Sequence, residues 1–330
     1  METREELRAE ARQLGVTPEP LEKVVRLLDI LRRLEDEKEI AGRFALKGGS
    51  ALNLFWLELP RLSVDIDLDF IHDGERNEAM RLRPDFEGRV ERCIRLAGCQ
   101  VMRMPREHAG GKLRLRFASL FGGQQNLEVD LNFVARVPIF GLVRRACVLP
   151  RFATVGVSTY ELVELAAGKF VALVGRSVAR DQFDAVQLLD REPGLLDDGR
   201  FRICFTALAA AAADDVRRRG PTLDALSALS VREHLLPVLR TPDGEGLTDA
   251  TALAARLAEK LGPAFGRLLS FSEGERAFLS ALIDRGEIEP EHLTPDADLQ
   301  GRLGRQPMLR WRRIQARKRL GLPPHPEDGG

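Results

Sequence analysis

Between Arg61 and Ile71 the chain reads RLSVDIDLDFI, an alternation with one natural local structure. Val64, Ile66, Leu68 and Phe70 recur at every second residue, the period of a strand with one buried face. The same period puts Ser63, Asp65, Asp67 and Asp69 on the opposite face. Aspartate is a poor strand former, and like charges side by side repel. A fold that keeps these acids in a row needs solvent or cations beside them. An exposed edge strand, whose charges only discourage pairing with other chains, is the plain alternative. An EF-hand loop also opens D-x-D-x-D, but it requires glycine where Phe70 stands.

The residues just upstream weigh against the plain alternative. Phe44–Lys47 reads as a short strand, broken by Gly48-Gly49, and Ser50 begins a short apolar helix that runs to Leu57. No G-K-[ST] closes the pattern, so this is not a P-loop. A glycine pair between a strand and a helix can still turn its backbone N–H groups toward an anionic phosphate. Farther on, NLEVDLNFV over residues 126–134 predicts another strand, carrying Asp130 between Val129 and Leu131. A phosphate holder plus convergent carboxylates on adjacent strands is what Mg²⁺-dependent nucleotidyl transfer needs. Two divalent ions about 3.5–4 Å apart would offset the repulsion among the acids.

The remaining pattern predicts helices over 3–14, 20–39 and 84–97. In the second of these Leu21, Val24, Val25, Leu28, Leu31 and Leu34 keep helical spacing. Extended runs follow over 100–105 and 112–118, the latter joined to 126–134 by a Phe121-Gly122-Gly123-Gln124 turn. Residues 145–157 also read as extended. From Ser158 onward the pattern is helical: 159–174, 177–190, 202–218 and several more helices. The switch predicts two domains, an α/β (α+β) unit over 1–156 with a short mixed sheet and a mainly α-helical unit over 157–330. A length of 330 residues fits two cores better than one.

Fifty basic and fifty acidic residues leave no net charge, so bulk charge argues neither for nor against nucleic acid. Local charge is more informative. Lys112, Arg114 and Arg116, with Arg103 and Arg106 nearby, could form a basic wall. The segment 303–321 sets Arg310, Arg312, Arg313, Arg317, Lys318 and Arg319 around Trp311. Such a helix suits a phosphate backbone, or else it packs through Met308, Leu309, Trp311 and Ile314. Cys93, Cys99, Cys147 and Cys204 are scattered without metal-ligand spacing, which argues against a zinc site or a disulfide framework. The start of the chain reads as an acidic-basic helix rather than a charged-then-apolar signal, and no apolar run approaches the ~20 residues of a membrane span. The expected location is cytoplasmic.

LKGGSALNLF followed by RLSVDIDLDF resembles the first motif of the AbiEii/MenT nucleotidyltransferase toxins, in the polymerase-β-like superfamily. LEVDLNF resembles their second motif, with Asp130 as its acid, although Glu128 stands where many relatives carry a basic residue. ELVELAAGKFVALVGRSVARDQFDAVQLL, residues 161–189, resembles their third block. The resemblance spans roughly residues 44–190. It implies an Mg²⁺-dependent enzyme that transfers NMP from an NTP to an RNA acceptor, the tRNA 3′ end, and blocks translation. It also implies a cognate antitoxin partner.

On that reading Asp65, Asp67 and Asp130 hold the metal ions. Gly48, Gly49 and Ser50 hold the β,γ-phosphates, and Arg61 and Ser63 adjoin them. Lys169 offsets the leaving pyrophosphate, with Arg176, Arg180 and Asp181 assisting. Physics alone also allows Lys169 to snorkel from an apolar helix and Asp184 to bridge Arg180 one turn away. Asp69 has no assigned task. A protein or small-molecule acceptor, or an inactive interaction module, are the competing functions.

Overall fold

A computed structural model describes residues 3–103, 110–176, 178–241 and 249–328. The chain groups into two compact units. The first comprises Met1–Arg136, Leu142–Tyr160 and Arg232–Ala250, and the second Val137–Gly141, Glu161–Val231 and Thr251–Gly330.

The first unit opens with α1 (Arg4–Leu14) and α2 (Pro18–Asp36). Thr3 and Glu6 form a reciprocal capping box at the start of α1, and Gly15 ends it in the left-handed region with φ of 67°. The predicted apolar stripe of α2 is buried from Leu21 to Leu34. After β1 (Phe44–Lys47) come α3 (Gly48–Ala51), which runs into a π-type turn over Leu52–Trp56, and β2 (Asp65–Phe70). Next are α4 (Arg76–Leu96), β3 (Gln100–Arg103), β4 (Gly110–Ala118), β5 (Gln124–Asn132), β6 (Leu142–Ala146) and β7 (Gly156–Tyr160).

These strands form one mixed sheet in the order β3-β4-β5-β2-β1-β7-β6. The acidic strand β2 lies in its middle, antiparallel to β1 and parallel to β5. The edge-strand reading is therefore excluded. One face explains the central position: Ile66, Leu68, Val129, Leu131, Leu113 and Leu115 are all buried there. Each such side chain contributes about 1.5–3 kcal/mol on burial. Phe70 continues that face against Phe86 and Phe133, with ring centroids 4.9 and 5.4 Å apart. The expected hairpin between β4 and β5 is present, closed by the Ala118↔Gln124 pair.

The elements differ from expectation in a few places. β2 begins at Asp65, not Arg61. Arg61 instead bridges Leu239, and the Leu62 N–H donates to the Val238 carbonyl, which draws this segment away from the sheet. Helix α4 begins eight residues before Pro84, which the helix interior accommodates. A helix expected from residue 159 starts at Leu162, because Tyr160 still belongs to β7.

The second unit holds α5 (Leu162–Gly175), α6 (Ala179–Arg191) and α7 (Gly199–Ala211). The division between units falls inside α8 (Ala228–His234). Then come α9 (Ala250–Leu268), α10 (Glu273–Ser280), α11 (Ala297–Arg305) and α12 (Pro307–Arg319). Phe170 meets Phe201 edge-on, and Phe201, Phe205 and Phe271 stack in succession through its core. On α12 the guanidinium groups are mostly spent internally. Arg312 donates to the Ala213 carbonyl, Arg317 to Pro323, and Arg319 to Ile283, while Arg313 pairs with Glu327. Of the anticipated apolar set Leu309 is buried and Met308 half-buried, but Trp311 and Ile314 stay exposed, so the packing reading holds only in part. Among the described residues no helix is long and apolar enough to cross a membrane.

Candidate active site

The sheet sets the acids in register. Asp67 faces Asp130 across the parallel β2–β5 pair, and Lys47 across the antiparallel β1–β2 pair. Lys112 faces Asp130 from β4, so one level of the sheet reads Lys112, Asp130, Asp67, Lys47. The next level holds Arg114, Glu128 and Asp65. Paired positions in a sheet share a face, so all these side chains lie opposite the apolar layer.

The glycine turn is pressed onto this row. Gly48 has φ of 67°, and a Cβ there would lie 2.0 Å from Asp67 Oδ2. A Cβ on Gly49 would lie 2.7 Å from Arg61 Nη2 and 2.9 Å from Ser63 Oγ. Only glycine lets the backbone approach this closely. The expected phosphate-holding residues therefore cluster: Gly48 with Asp67, and Gly49 with Arg61 and Ser63. Ser63 lies ahead of the strand rather than on it, yet it reaches the turn. Ser50 is fully buried and its hydroxyl donates to the Asp65 carbonyl, which ties α3 to β2. Its side chain is thereby committed, and what it can offer an anion is its backbone N–H. Arg61 is buried as well, donating to the Leu62 carbonyl at 2.9 Å.

Asp69, without a role from sequence, has two partners. Lys47 Nζ donates to its Oδ1 at 2.6 Å and the Tyr160 hydroxyl to its Oδ2 at 2.8 Å. Burial pushes the Asp69 carboxyl above its ordinary pKa despite the lysine. Burial also works against the Lys47 ammonium, but Asp69, Asp67 and Asp130 together hold its pKa above the usual lysine value. Periodicity could not find this network. Its members are 22 and 91 residues apart, and only the pairing of β1, β2 and β7 joins them. Tyr160 is the single tyrosine of the chain, the one faint signal available.

Glu128 is occupied by Lys112 at 2.8 Å, with Arg114 at 3.6 Å. The Lys112 hydrogen bond holds the Glu128 carboxyl below its ordinary range. The anticipated basic wall is thus partly neutralised, and Arg106 lies outside the described residues.

In the second unit, Lys169 on α5 donates to Asp181 at 2.7 Å and lies 3.0 Å from Asp184, both on α6. Arg176 reaches the other Asp181 oxygen at 3.0 Å. Asp184 is fully buried, and its contact with Lys169 fastens α6 to α5. Arg180 sits in the first turn of α6.

Carboxylate oxygens are the donors that hard divalent cations such as Mg²⁺ take, and the Asp65, Asp67, Asp130 set has that chemistry. Among the described residues no group of three or more His, Cys, Asp or Glu side chains is already arranged around a metal position.

The structure is similar to MenT4, a nucleotidyltransferase toxin from Mycobacterium tuberculosis H37Rv, at 17% sequence identity and a TM-score of 0.57. The match covers 90% of this chain and 97% of that one, and at this identity it speaks for the fold. No curated protein gives a significant sequence match. The profile of the AbiEii nucleotidyl transferase toxins of type IV toxin–antitoxin systems matches residues 29–327. The match spans nearly the whole chain, and the protein belongs to the AbiEii nucleotidyltransferase toxin family.

Proposed function

We propose that the protein transfers NMP from an NTP to an RNA acceptor, the 3′ end of tRNA, in an Mg²⁺-dependent reaction that blocks translation. One observation carries the assignment of the site: the glycine turn is packed directly onto Asp67, which stands in register beside Asp130. Phosphate holder and acid pair thus adjoin, as nucleotidyl transfer requires. Asp65, Asp67 and Asp130 are the residues that would hold the cations. When bound, the cations supply charge neutralisation and Lewis acidity to the triphosphate and acceptor hydroxyl.

The protein's own groups do the rest. Backbone N–H groups at Gly48, Gly49 and Ser50 orient the β,γ-phosphates, and Arg61 and Ser63 fix the turn that carries them. Alignment of the acceptor hydroxyl with the α-phosphorus lets the new P–O bond form as the bond to pyrophosphate breaks. Lys169, with Arg176, Arg180 and Asp181, is assigned to the triphosphate on the family resemblance. The domain roles follow, the sheet-bearing unit as catalytic domain and the helical unit as its complement. A cognate antitoxin protein is the expected partner, and the cytoplasm, where tRNA resides, is the expected location.

The test is to incubate purified protein and Mg²⁺ with each α-³²P-labelled NTP, first with total RNA and then with lysate. Label entering tRNA, and lost in Asp67→Asn, is the expected result. Label entering protein or a small molecule would instead move the acceptor assignment, and no transfer to any acceptor would remove the enzymatic reading of this site.

A further inference from the structure

We propose that Lys47 is a fixed counter-cation of the acid row, and that Asp69 and Tyr160 are the positioning residues that hold it there. The inference rests on the metal-site reading above and adds what controls that site. Two lysines flank the Asp130–Asp67 pair at one level of the sheet. Lys112 is more than half exposed and turns to Glu128, where solvent screens it. Lys47 is different. Its ammonium is 2.6 Å from a carboxylate that is only 3% exposed, and Asp67 and Asp130 both act on it.

The network also removes Asp69 from the acids that can serve a metal. One oxygen takes the lysine and the other the Tyr160 hydroxyl, which lies 3.0 Å from the Ala135 carbonyl as well. Three neighbouring strands, β2, β1 and β7, therefore fix one positive charge beside Asp67. The strand carries three aspartates but offers two. A cation at this position disfavours a bare divalent ion among the carboxylates and favours one that arrives on a triphosphate, whose negative charge offsets the lysine. The Asp69 charge bonded to the lysine offsets that effect, so each charge matters to metal binding only when the other is removed.

The signature is a pair of opposite single effects that cancel. Mn²⁺ alone, without nucleotide, is titrated onto the full chain and binding is read by calorimetry or by the resonance of free Mn²⁺. Removing one unit charge near the site changes the affinity by roughly tenfold. Lys47→Met is expected to bind Mn²⁺ more tightly by that factor and Asp69→Asn more weakly. The double variant, with both charges gone, should return to within about threefold of the unaltered protein. Tyr160→Phe keeps both charges and should shift binding by less than about threefold.

A merely structural network would weaken Mn²⁺ binding in both single variants. That pattern, or no change in Lys47→Met, overturns the inference. If Lys47→Met does not fold, comparing Asp69→Asn with the double variant reads the same lysine charge. Asp67→Asn separates the two levels of the argument. Mn²⁺ binding that disappears in Asp67→Asn but ignores Lys47 refutes only the role of Lys47. A protein that binds no Mn²⁺ at this row loses the metal-site reading and this inference together.

Discussion

Gly48→Ala is the sharpest probe of the turn against the acid row, because the structure separates its two costs. The first is conformational: φ of 67° is left-handed backbone, and an L side chain there costs about 1–2 kcal/mol. The second is steric. The new Cβ would lie 2.0 Å from Asp67 Oδ2, whereas real Cβ contacts essentially never come below 3.0 Å. Asp67 must therefore retreat by about 1 Å or more, and misplacing a reacting group by that much costs on the order of 10²-fold in rate. Gly123→Ala supplies the control, since Gly123 has φ of 74° but nothing within 4 Å of its added Cβ. Both variants should lose stability by thermal denaturation, Gly48→Ala at least as much as Gly123→Ala because it carries the steric cost as well. Transfer from α-³²P-NTP should fall about 10²-fold in Gly48→Ala and stay near normal in Gly123→Ala. Undiminished transfer by Gly48→Ala would refute the claim that this backbone approach positions Asp67.

Three further outcomes are expected. Asp130→Asn should abolish transfer while leaving the melting temperature in EDTA unchanged or higher, because it relieves repulsion with Asp67. A large loss of stability would mean that the acid is structural. Lys169→Met removes the ammonium that lies between the buried Asp181 and Asp184 and should destabilise the protein by about 3–5 kcal/mol in urea unfolding; a negligible change would contradict the buried cluster. Glu275 should make stability depend on acid: burial opposes its charge, but hydrogen bonds from Arg202 and Ser272 hold its pKa below the ordinary 4.5. With a depressed folded pKa the contribution is full above 4.5 and is lost as pH falls through the folded value. Melting curves of Glu275→Gln should therefore show a shallower acid decline.

The local half of this architecture was legible because period and punctuation encode it. The alternation in β2, the stripe of α2 and the glycine pair after β1 each specify an element from neighbouring residues. Register could not be read that way. That Asp67 meets Asp130 rather than Glu128 depends on how two strands far apart in the chain align, and no local signal fixes that offset. The start of β2 was misplaced for a related reason. Arg61-Leu62-Ser63 continues the alternation, but its backbone is claimed by Val238 and Leu239, far along the chain. Ser50 shows the same limit at the level of one side chain. Its type and position suit a phosphate, yet its hydroxyl is taken by the Asp65 carbonyl.

The triple aspartate poses a physical question that the sheet answers by grading the environment along one strand. Asp69 lies at the closed end, where burial would expel a lone charge, and there it meets a lysine and a phenol. Asp67 and Asp65 are only half-buried, so water can screen them and a cation can reach them. The gradient follows from topology. β1 and β7 lie on one side of β2 and bring Lys47 and Tyr160, while β5 lies on the other and brings Asp130. Reversing the order of these neighbours would put the acid pair beside the phenol and strand Asp69 without a partner. An acidic strand can thus occupy the middle of a sheet when its most buried acid is neutralised from one side and its half-buried acids stay within reach of water and cations.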